Sequence, residues 1–365
     1  MLDTFKKLAL KSSLIRLTVA ILIAVVLLAI TDFGIFLKLK GPIDLSQIDK
    51  NDLNKQYVKT EMPYTIGYYA EKYTQEEDSY TKNTTHYYYY VPVYTDDTLT
   101  TLLYYVGVQV AEKDRQPYEA SEFIGEFEYM ADPVHIEGTL QPMNPEEKNY
   151  YLDALYEADY SPEDIETYAL PYRINKDYLG RTPAHVTYLL STLAALCLLY
   201  GVLVILKFML GTYRSQLNKF TKTYPDANQD ALEFDFQSAN TVDNKIWVGR
   251  KYTLYFDKQK IRVLKNSDVL WAYYYEYTIK RRGSTTVKHY VVTYNKDKKS
   301  TRIGASSRFA CEKILDTYSK TQPHMVLGYT EELANMFQNN IKDFIALSQN
   351  QEAQVQQESA STNEF

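Results

Sequence analysis

The chain has 365 residues, among them 36 tyrosines and only two cysteines, and it carries a formal net charge of −6. Because Cys197 and Cys311 are the only cysteines, residues 39–184 cannot hold a disulfide framework or a cysteine-based metal site. The net charge conceals a separation: residues 42–184 carry 11 basic and 27 acidic side chains, a net of −16, whereas residues 245–308 carry 16 basic and 4 acidic ones, a net of +12.

The chain begins with a short basic segment, residues 1–16, and continues into a first apolar run at residues 17–37. No convincing small-x-small cleavage site is present, which favours a retained signal anchor over the alternative, a cleaved signal peptide. The positive-inside rule then predicts a cytoplasmic N-terminus. Asp32 would be a functional candidate if it lay in hydrocarbon, but we favour a position at the outer interface.

Residues 39–184 are therefore expected outside the membrane, as an acidic, tyrosine-rich α+β domain. Strands are predicted at residues 57–61, 65–74, 87–94, 102–110 and 124–129. Two helices have clear start signals, because Asn144 and Ser161 each precede a proline and acidic residues.

One of these strands contains four consecutive tyrosines, Tyr87, Tyr88, Tyr89 and Tyr90. Side chains alternate along a strand, so two of the rings face one way and two face the other. One pair can serve the core, and the other could form an external aromatic surface for a glycan or a protein. We favour the simpler interpretation, that this chain uses tyrosine on half-exposed sheet faces throughout.

A second apolar run, residues 186–206, contains 21 residues without a charge. A hydrocarbon core of about 30 Å needs about 20 apolar helical residues, so this run predicts a second transmembrane helix. Basic residues follow it and predict a cytoplasmic C-terminus. The expected topology is a two-span protein of the cell membrane with both termini inside. Small residues at i and i+4 suggest close helix packing: Ala20, Ala24, Ser191 and Ala195.

Residues 207–244 are predicted to form a juxtamembrane helix, ending before Pro225, and a polar connector. Antiparallel strands are predicted at residues 245–248, 252–256, 261–264, 269–279, 287–294 and 301–304. Ser307 and Thr330 begin two further helices, the second of them amphipathic as far as Ile345. Residues 348–365 are polar and predicted to be disordered.

Six short meandering strands and an amphipathic closing helix resemble, over residues 245–347, a pleckstrin-homology-like module. The resemblance implies a strongly bent sheet closed at one end by its C-terminal helix, and the additional helix after Ser307 departs from the simplest form of that fold. SDVLWAY at residues 267–273 and LGYTEEL at residues 327–333 also resemble segments of uncharacterised two-span membrane proteins of Gram-positive bacteria. That second resemblance implies no known activity.

Seven basic residues lie near two predicted hairpin turns of this internal domain: Lys280, Arg281, Arg282, Lys288, Lys296, Lys298 and Lys299. Anionic headgroups attract a nearby Lys or Arg by about 1 kcal/mol each, so the set could hold the domain against membrane lipid if its members share a face. A solubilising surface is the alternative. Nucleic acid is not expected as a partner, because no recognition helix or aromatic RNA-binding signature is present.

The chain contains no GxGxxG, GxxxxGK[ST], HExxH, GxSxG or CxxC motif, and no cofactor or metal is expected. We therefore predict a non-enzymatic, membrane-anchored interaction, scaffold or sensor-type protein. Its external domain would bind an unknown protein partner or ligand, and its basic internal domain would contact anionic lipid or a protein. The alternatives are a motif-less envelope enzyme acting on cell-wall glycans through external carboxylates, and an accessory subunit of an oligomer or a larger membrane complex.

Overall fold

The computed structural model describes residues 1–50, 52–64, 66–74, 83–95, 101–119, 133–281 and 283–362. They form two compact units, one made of Met1–Thr18 with Tyr200–Phe365 and the other of Val19–Leu199. Two helices, α1 (Leu2–Ile30) and the later helix Ala184–Met209, are long and apolar enough to cross a membrane. With 29 and 26 residues, they would measure about 44 and 39 Å at 1.5 Å per residue.

The first apolar run does not continue as one helix to residue 37. Asp32 and Phe33 adopt left-handed backbone angles, with φ of 50° and 55°, and the short helix α2 (Gly34–Lys40) follows. A Cβ on Gly34 would lie 2.6 Å from the carbonyl oxygen of Leu179, so glycine permits this close approach. The Asp32 carboxylate lies 3.6 Å from Lys55 Nζ, and these charged surroundings favour the interface position.

The domain between the two long helices, here the inter-span domain, is built on a seven-stranded sheet in the order β1-β2-β6-β7-β5-β4-β3. The pairs β1–β2 and β5–β7 are parallel, and the other neighbours are antiparallel. Its strands are β1 (Ile43–Asp44), β2 (Tyr57–Met62), β3 (Tyr68–Thr74), β4 (Asn83–Tyr94), β5 (Leu102–Ala111), β6 (Val134–Pro142) and β7 (Ala169–Asn175). Strands β2 to β5 confirm four of the predicted strands within a few residues. Strands β6 and β7 were not predicted. The strand expected at residues 124–129 lies outside the described residues.

Helices α4 (Pro145–Glu157) and α5 (Pro162–Tyr168), which follow β6, cover one face of this sheet. The short α3 (Gln116–Glu119), which precedes β6, places its Tyr118 in the core beneath the opposite face. Asn144 and Ser161 cap α4 and α5 as predicted, the latter through a full capping box. Tyr151, Leu155 and Ile165 of α4 and α5 pack against Tyr69, Tyr88, Tyr90 and Tyr105.

The opposite face of the sheet packs against the segment between β1 and β2, whose Leu45 and Leu53 are fully buried. A small ribbon of β8 (Tyr178–Leu179) and β9 (Thr182–Pro183) then leads into α6 (Ala184–Met209), the second candidate span. On the candidate spans Ala20, Ala24 and Ala194 are buried, whereas Ala195 is exposed. The small-residue face therefore uses Ala194, one residue before the expected position.

The C-terminal domain begins with α7 (Ser215–Thr223) and α8 (Gln229–Gln237) and continues with two four-stranded sheets. The first sheet runs β10-β11-β12-β13, from Asn240–Val242, Ile246–Val248, Tyr252–Asp257 and Lys260–Lys265. The second runs β16-β15-β14-β17, from β14 (Val269–Arg281), β15 (Ser284–Asn295), β16 (Ser300–Ala305) and β17 (Val326–Leu327). The six predicted strands correspond to β11 to β16. The expected polar connector is wrong in part, because α8 and β10 occupy it.

Helix α9 (Arg308–Thr321), capped by Ser307, lies between β16 and β17 in the chain. Its Cys311, Ile314 and Tyr318 are fully buried in a cluster that contains side chains of both sheets. The helix that closes the domain is therefore α9, and the expectation that the helix beginning at Thr330 does so is corrected.

Two helices follow α9 and β17. The helix that begins at Thr330 ends at Asn340, so the segment forms two helices, α10 (Glu331–Asn339) and α11 (Ile341–Thr362). Phe337 of α10 and Phe344 of α11 pack against Trp271 on the other face of β14. The tail that was expected to be disordered continues helix α11 to Thr362, because glutamine, glutamate and alanine are good helix formers.

The first helix contributes to the core of the C-terminal domain. Phe5 and Ala9 near the start of α1 are buried together with Leu232, Trp247 and Leu254. The basic N-terminal segment is thus part of a folded domain rather than a free extension.

Candidate functional site

The four consecutive tyrosines do not form an exposed surface. Tyr87 and Tyr89 belong to the core beneath one face of the sheet, and Tyr88 and Tyr90 pack with the helices on the other face. All four are at most 9% exposed. The expectation of an external aromatic surface at these residues is corrected, because both faces of β4 are covered.

Several tyrosines line a cavity of about 790 Å³ in the inter-span domain, and Tyr88 is the only member of the tetratyrosine among them. Strand β3, the start of helix α4, and residues of β4, β5, β7 and β8 form its walls. The tyrosines that line it are Tyr68, Tyr69, Tyr73, Tyr88, Tyr150 and Tyr178. Tyr73 and Tyr150 are 42% and 52% exposed, whereas the ring of Tyr68 packs against Tyr87 and Tyr89 on the opposite face of the sheet.

A buried ion pair lies at this cavity. Arg173 on β7 donates a hydrogen bond from Nη1 to the Glu147 carboxylate on α4, and Tyr69 donates to the same carboxylate across 3.3 Å. Burial raises the pKa of Glu147, although Arg173 and Tyr69 oppose the rise. Burial also raises the pKa of the Tyr69 hydroxyl well above its usual value, so this group remains a hydrogen-bond donor. The Nε of Arg173 is buried, and none of the residues that the structure describes accepts a hydrogen bond from it.

Amide side chains extend the polar part of the cavity. Asn175 and Gln109 line it beside Arg173, and Asn175 Nδ2 donates to Gln109 Oε1 across 3.3 Å and to Gln141 Oε1 across 3.2 Å. Such interlocked amides hold their planes in fixed orientations and present donors and acceptors together. The sequence did not indicate this site, since Glu147 looks like an ordinary acid of a first helical turn and Arg173 follows 26 residues later.

The structure divides the seven basic residues into two groups. Lys280 and Arg281 end β14, and Lys288 lies opposite Tyr277 near the same hairpin end. Lys296, Lys298 and Lys299 follow Asn295, at the far end of β15. The 11 steps from Ser284 to Asn295 place the two turns roughly 37 Å apart at about 3.4 Å per residue.

The expectation that all seven could share one face is therefore corrected, and Arg282 lies outside the described residues. Lys298 is also engaged, because its Nζ donates to the backbone carbonyl of Gln338 at 2.6 Å. The basic side chains are exposed at both turns, but only those at the β14–β15 turn lie on a hairpin whose two strands are also exposed.

This turn belongs to a projecting hairpin, here called the ribbon, made of residues 275–281 and 284–288. Its residues are exposed apart from the partly buried Ile279. Helices α10 and α11 cover Trp271 and Tyr273 on one face of β14. Farther along the strand, the same face carries Tyr275, Tyr277 and Ile279. Tyr277 and, on the other face, Val287 are 48% and 42% exposed. The ribbon therefore combines uncovered apolar side chains with Lys280, Arg281 and Lys288.

A smaller cluster joins α2 to the sheet of the inter-span domain. Lys38 Nζ lies 2.5 Å from the Tyr57 hydroxyl and 2.6 Å from the Glu137 carboxylate, and Tyr57 also donates to Glu137. The hydrogen bond from Lys38 lowers the pKa of Glu137. Among the residues that the structure describes, no three His, Cys, Asp or Glu side chains come together in a way that could hold a metal ion.

These features define a chain with two candidate membrane spans, a mixed-sheet domain between them and a two-sheet domain after them. Residues 2–207 match the family described as Domain of unknown function (DUF8577), and the chain belongs to this family. Residues 211–337 match a second family, Domain of unknown function (DUF6709). The boundary between the matches coincides with the end of α6 at Met209. No curated protein and no solved structure matches the chain.

Both family descriptions agree with the expected resemblance to uncharacterised proteins.

Proposed function

We propose that the chain is a non-enzymatic interaction protein of the cell membrane, with two spans, both termini in the cytoplasm and the inter-span domain outside. The outer domain binds a ligand or partner, and the C-terminal domain contacts anionic lipid through the ribbon. Two long apolar helices and the opposite charges of residues 42–184 and 245–308, −16 and +12, support this arrangement.

The order of elements supports a pleckstrin-homology-like C-terminal domain. Four strands, β10 to β13, form one sheet, three consecutive strands, β14 to β16, form most of the other, and α9 follows directly. The buried face of α9 fills the space between the sheets through Cys311, Ile314 and Tyr318. Strand β17 and helices α10 and α11 are additions to that plan.

The exposed ribbon is the observation that carries the lipid proposal. Lys280, Arg281 and Lys288 supply positive charge at its end, and Tyr277 and Val287 supply apolar surface on its two faces. Tyrosine is enriched where a membrane meets water, because its ring is apolar and its hydroxyl remains hydrated. At about 1 kcal/mol for each basic residue near an anionic surface, the three charges contribute about 3 kcal/mol.

The test uses the full chain in nanodiscs, with Cys197 and Cys311 replaced by serine and alanine and an environment-sensitive fluorophore on Ser284→Cys at the ribbon turn. We expect a blue-shifted spectrum when the nanodisc contains phosphatidylglycerol and none with phosphatidylcholine alone. Because the contact is electrostatic, the shift should shrink with added salt. Reversing Lys280 and Arg281 to glutamate should abolish it.

The matched control reverses Lys296 and Lys299 to glutamate, which changes the net charge equally at the distant turn. That variant should keep the blue shift. A probe at Ser284 that reports the same environment in both lipids would rule out the lipid contact and leave a protein as the partner of the ribbon.

A further inference from the structure

We propose that the cavity between β3 and α4 binds a neutral oligosaccharide. This inference deepens the proposed function, since it names a ligand class for the domain placed outside the membrane. It rests on the shape, the aromatic lining and the hydrogen-bonding groups of the cavity. A volume of about 790 Å³ lies within the range of about 300–1,000 Å³ that is typical of small-molecule sites.

The aromatic lining supplies surfaces for sugar rings. Tyr73 on β3 and Tyr150 on α4 are 42% and 52% exposed, and both line the cavity. A pyranose presents a patch of C–H groups on one face, and these groups pack well against the electron-rich face of a phenol. Tyrosine also loses little conformational entropy on binding, because it has few rotatable bonds.

The polar lining supplies partners for hydroxyl groups. Arg173 has five N–H donors, is 20% exposed at the cavity and gives one of these donors to Glu147. Asn175 is buried with both of its amide hydrogens donated, and it holds the amide of Gln109, which lines the cavity, in a fixed orientation. A hydroxyl both donates and accepts, so a sugar can satisfy this mixed set.

Charged ligands fit less well. A cation would face the charges of Lys72 and Arg173, whereas an anion would meet Glu71, Glu146 and Glu147 in a domain with a net charge of −16. A neutral ligand with many hydroxyls avoids both conflicts. The glycan interpretation considered for the tetratyrosine thus moves to the tyrosines of the cavity, of which only Tyr88 belongs to the tetratyrosine.

The experiment is calorimetric titration of the detergent-solubilised full chain with three neutral tetrasaccharides: cellotetraose, maltotetraose and the tetramer of N-acetylglucosamine. We expect saturable binding of at least one of them. Tyr150→Ala should weaken it by up to about tenfold, the factor that corresponds to about 1.4 kcal/mol of lost ring contact. Tyr73→Ala provides a second, independent removal of a ring that lines the cavity, in case one variant is poorly folded.

Tyr156→Ala is the matched control, because Tyr156 lies on the same helix and is 50% exposed against 52% for Tyr150, but does not line the cavity. It should bind as the unmodified chain does. The absence of binding to all three sugars, or an equal loss in Tyr150→Ala and Tyr156→Ala, would overturn the proposal. Neither result bears on the ribbon, since this titration contains no anionic lipid.

Discussion

The ring of Phe5 lies edge-on to the indole of Trp247, with ring centroids 4.9 Å apart and planes inclined by 69°. One residue belongs to the first turns of the first candidate span and the other to the first sheet of the C-terminal domain. Segments separated by more than 200 residues in sequence therefore share one core. Because Phe5 is fully buried, this contact is part of what stabilises the C-terminal domain.

Truncating Phe5 should destabilise the C-terminal domain selectively. Removal of a buried phenylalanine side chain leaves a cavity and typically costs about 3–5 kcal/mol, so Phe5→Ala should lower the unfolding midpoint. Tryptophan fluorescence, excited at the long-wavelength edge where tyrosine does not absorb, reports this domain alone, because both tryptophans of the chain, Trp247 and Trp271, lie in it. Leu10→Ala on the same helix, where the side chain is 39% exposed, should have a much smaller effect. Equal effects of the two substitutions would contradict the docking of α1.

A second prediction concerns the carboxylate of Asp235, which is buried at the end of α8. It accepts backbone N–H hydrogen bonds from Arg250, Lys251 and Tyr252 at 2.8 to 3.2 Å. Asp235→Asn replaces one acceptor oxygen with an amide donor that faces these N–H groups. We therefore expect the free energy of unfolding, measured in urea, to fall by about 1–3 kcal/mol. Asp230→Asn, an exposed acid of the same helix, should be neutral.

The loop around Asp235 allows an independent check. A Cβ on Gly249 would lie 2.1 Å from Asp235 Oδ2, so Gly249→Ala must displace the carboxylate or the loop. This substitution should destabilise the domain as Asp235→Asn does, and the double variant should show less than the sum of the two losses. Full additivity would mean that the two residues act separately.

Acid should weaken the inter-span domain partly through Glu137. Its pKa is lowered in the folded state, so the Lys38–Glu137 contact contributes stability above the unfolded value of 4.5, and the contribution disappears as the pH falls through the folded pKa. Both side chains are about 40% exposed, which limits the effect to about 1 kcal/mol or less. Glu137→Gln should therefore be less stable than the unmodified chain at pH 7, and the difference should be smaller at pH 3. Glu166→Gln, an exposed acid of α5, should show no difference at either pH.

The thiol of Cys311 should be unreactive in the folded domain. It is fully buried between the two sheets, and burial raises its pKa to about 12, so almost no thiolate exists at pH 7.5. We expect iodoacetamide to modify Cys311 only after denaturation, as measured by peptide mass spectrometry. A cysteine introduced at the exposed position Ser319 of the same helix should react at once. Rapid modification of Cys311 without denaturant would mean that α9 does not fill the space between the sheets.

The features that sequence predicts well are local. Asn144, Ser161, Ser307 and Thr330 all accept the helix-capping hydrogen bonds that were expected of them, because a cap depends on residues only three positions apart. Helix α8 was missed although Asn228 caps it, since its five polar and acidic residues are typical of a connector. Strand β7 was missed because Pro171 interrupts its pattern, and pairing with β5 and β6 decides its conformation.

The cavity required information that no local pattern contains. Its lining comes from β3, β5, β7 and α4, which only the sheet order brings together. The two hairpin turns that carry the basic residues were predicted from local sequence. The distance between the turns depends on the length of β15, which extends from one turn to the other. Sequence therefore identified the charged residues, whereas the structure decides which of them can act together.

The buried tetratyrosine has a consequence for how the inter-span domain reaches a single alignment. If β4 slipped by two residues against its neighbours, two of the four tyrosine positions would again be occupied by tyrosine. The packing of the rings therefore discriminates poorly between the correct and the slipped alignment. The hydroxyl groups make the distinction, because Arg115 donates to Tyr87 at 2.8 Å and Tyr90 donates to the carbonyl oxygen of Tyr151. Phenylalanine at these positions would keep the apolar surface and lose these markers. A slipped alignment could not keep both of these hydrogen bonds, so two hydroxyl groups mark the alignment of a repetitive strand.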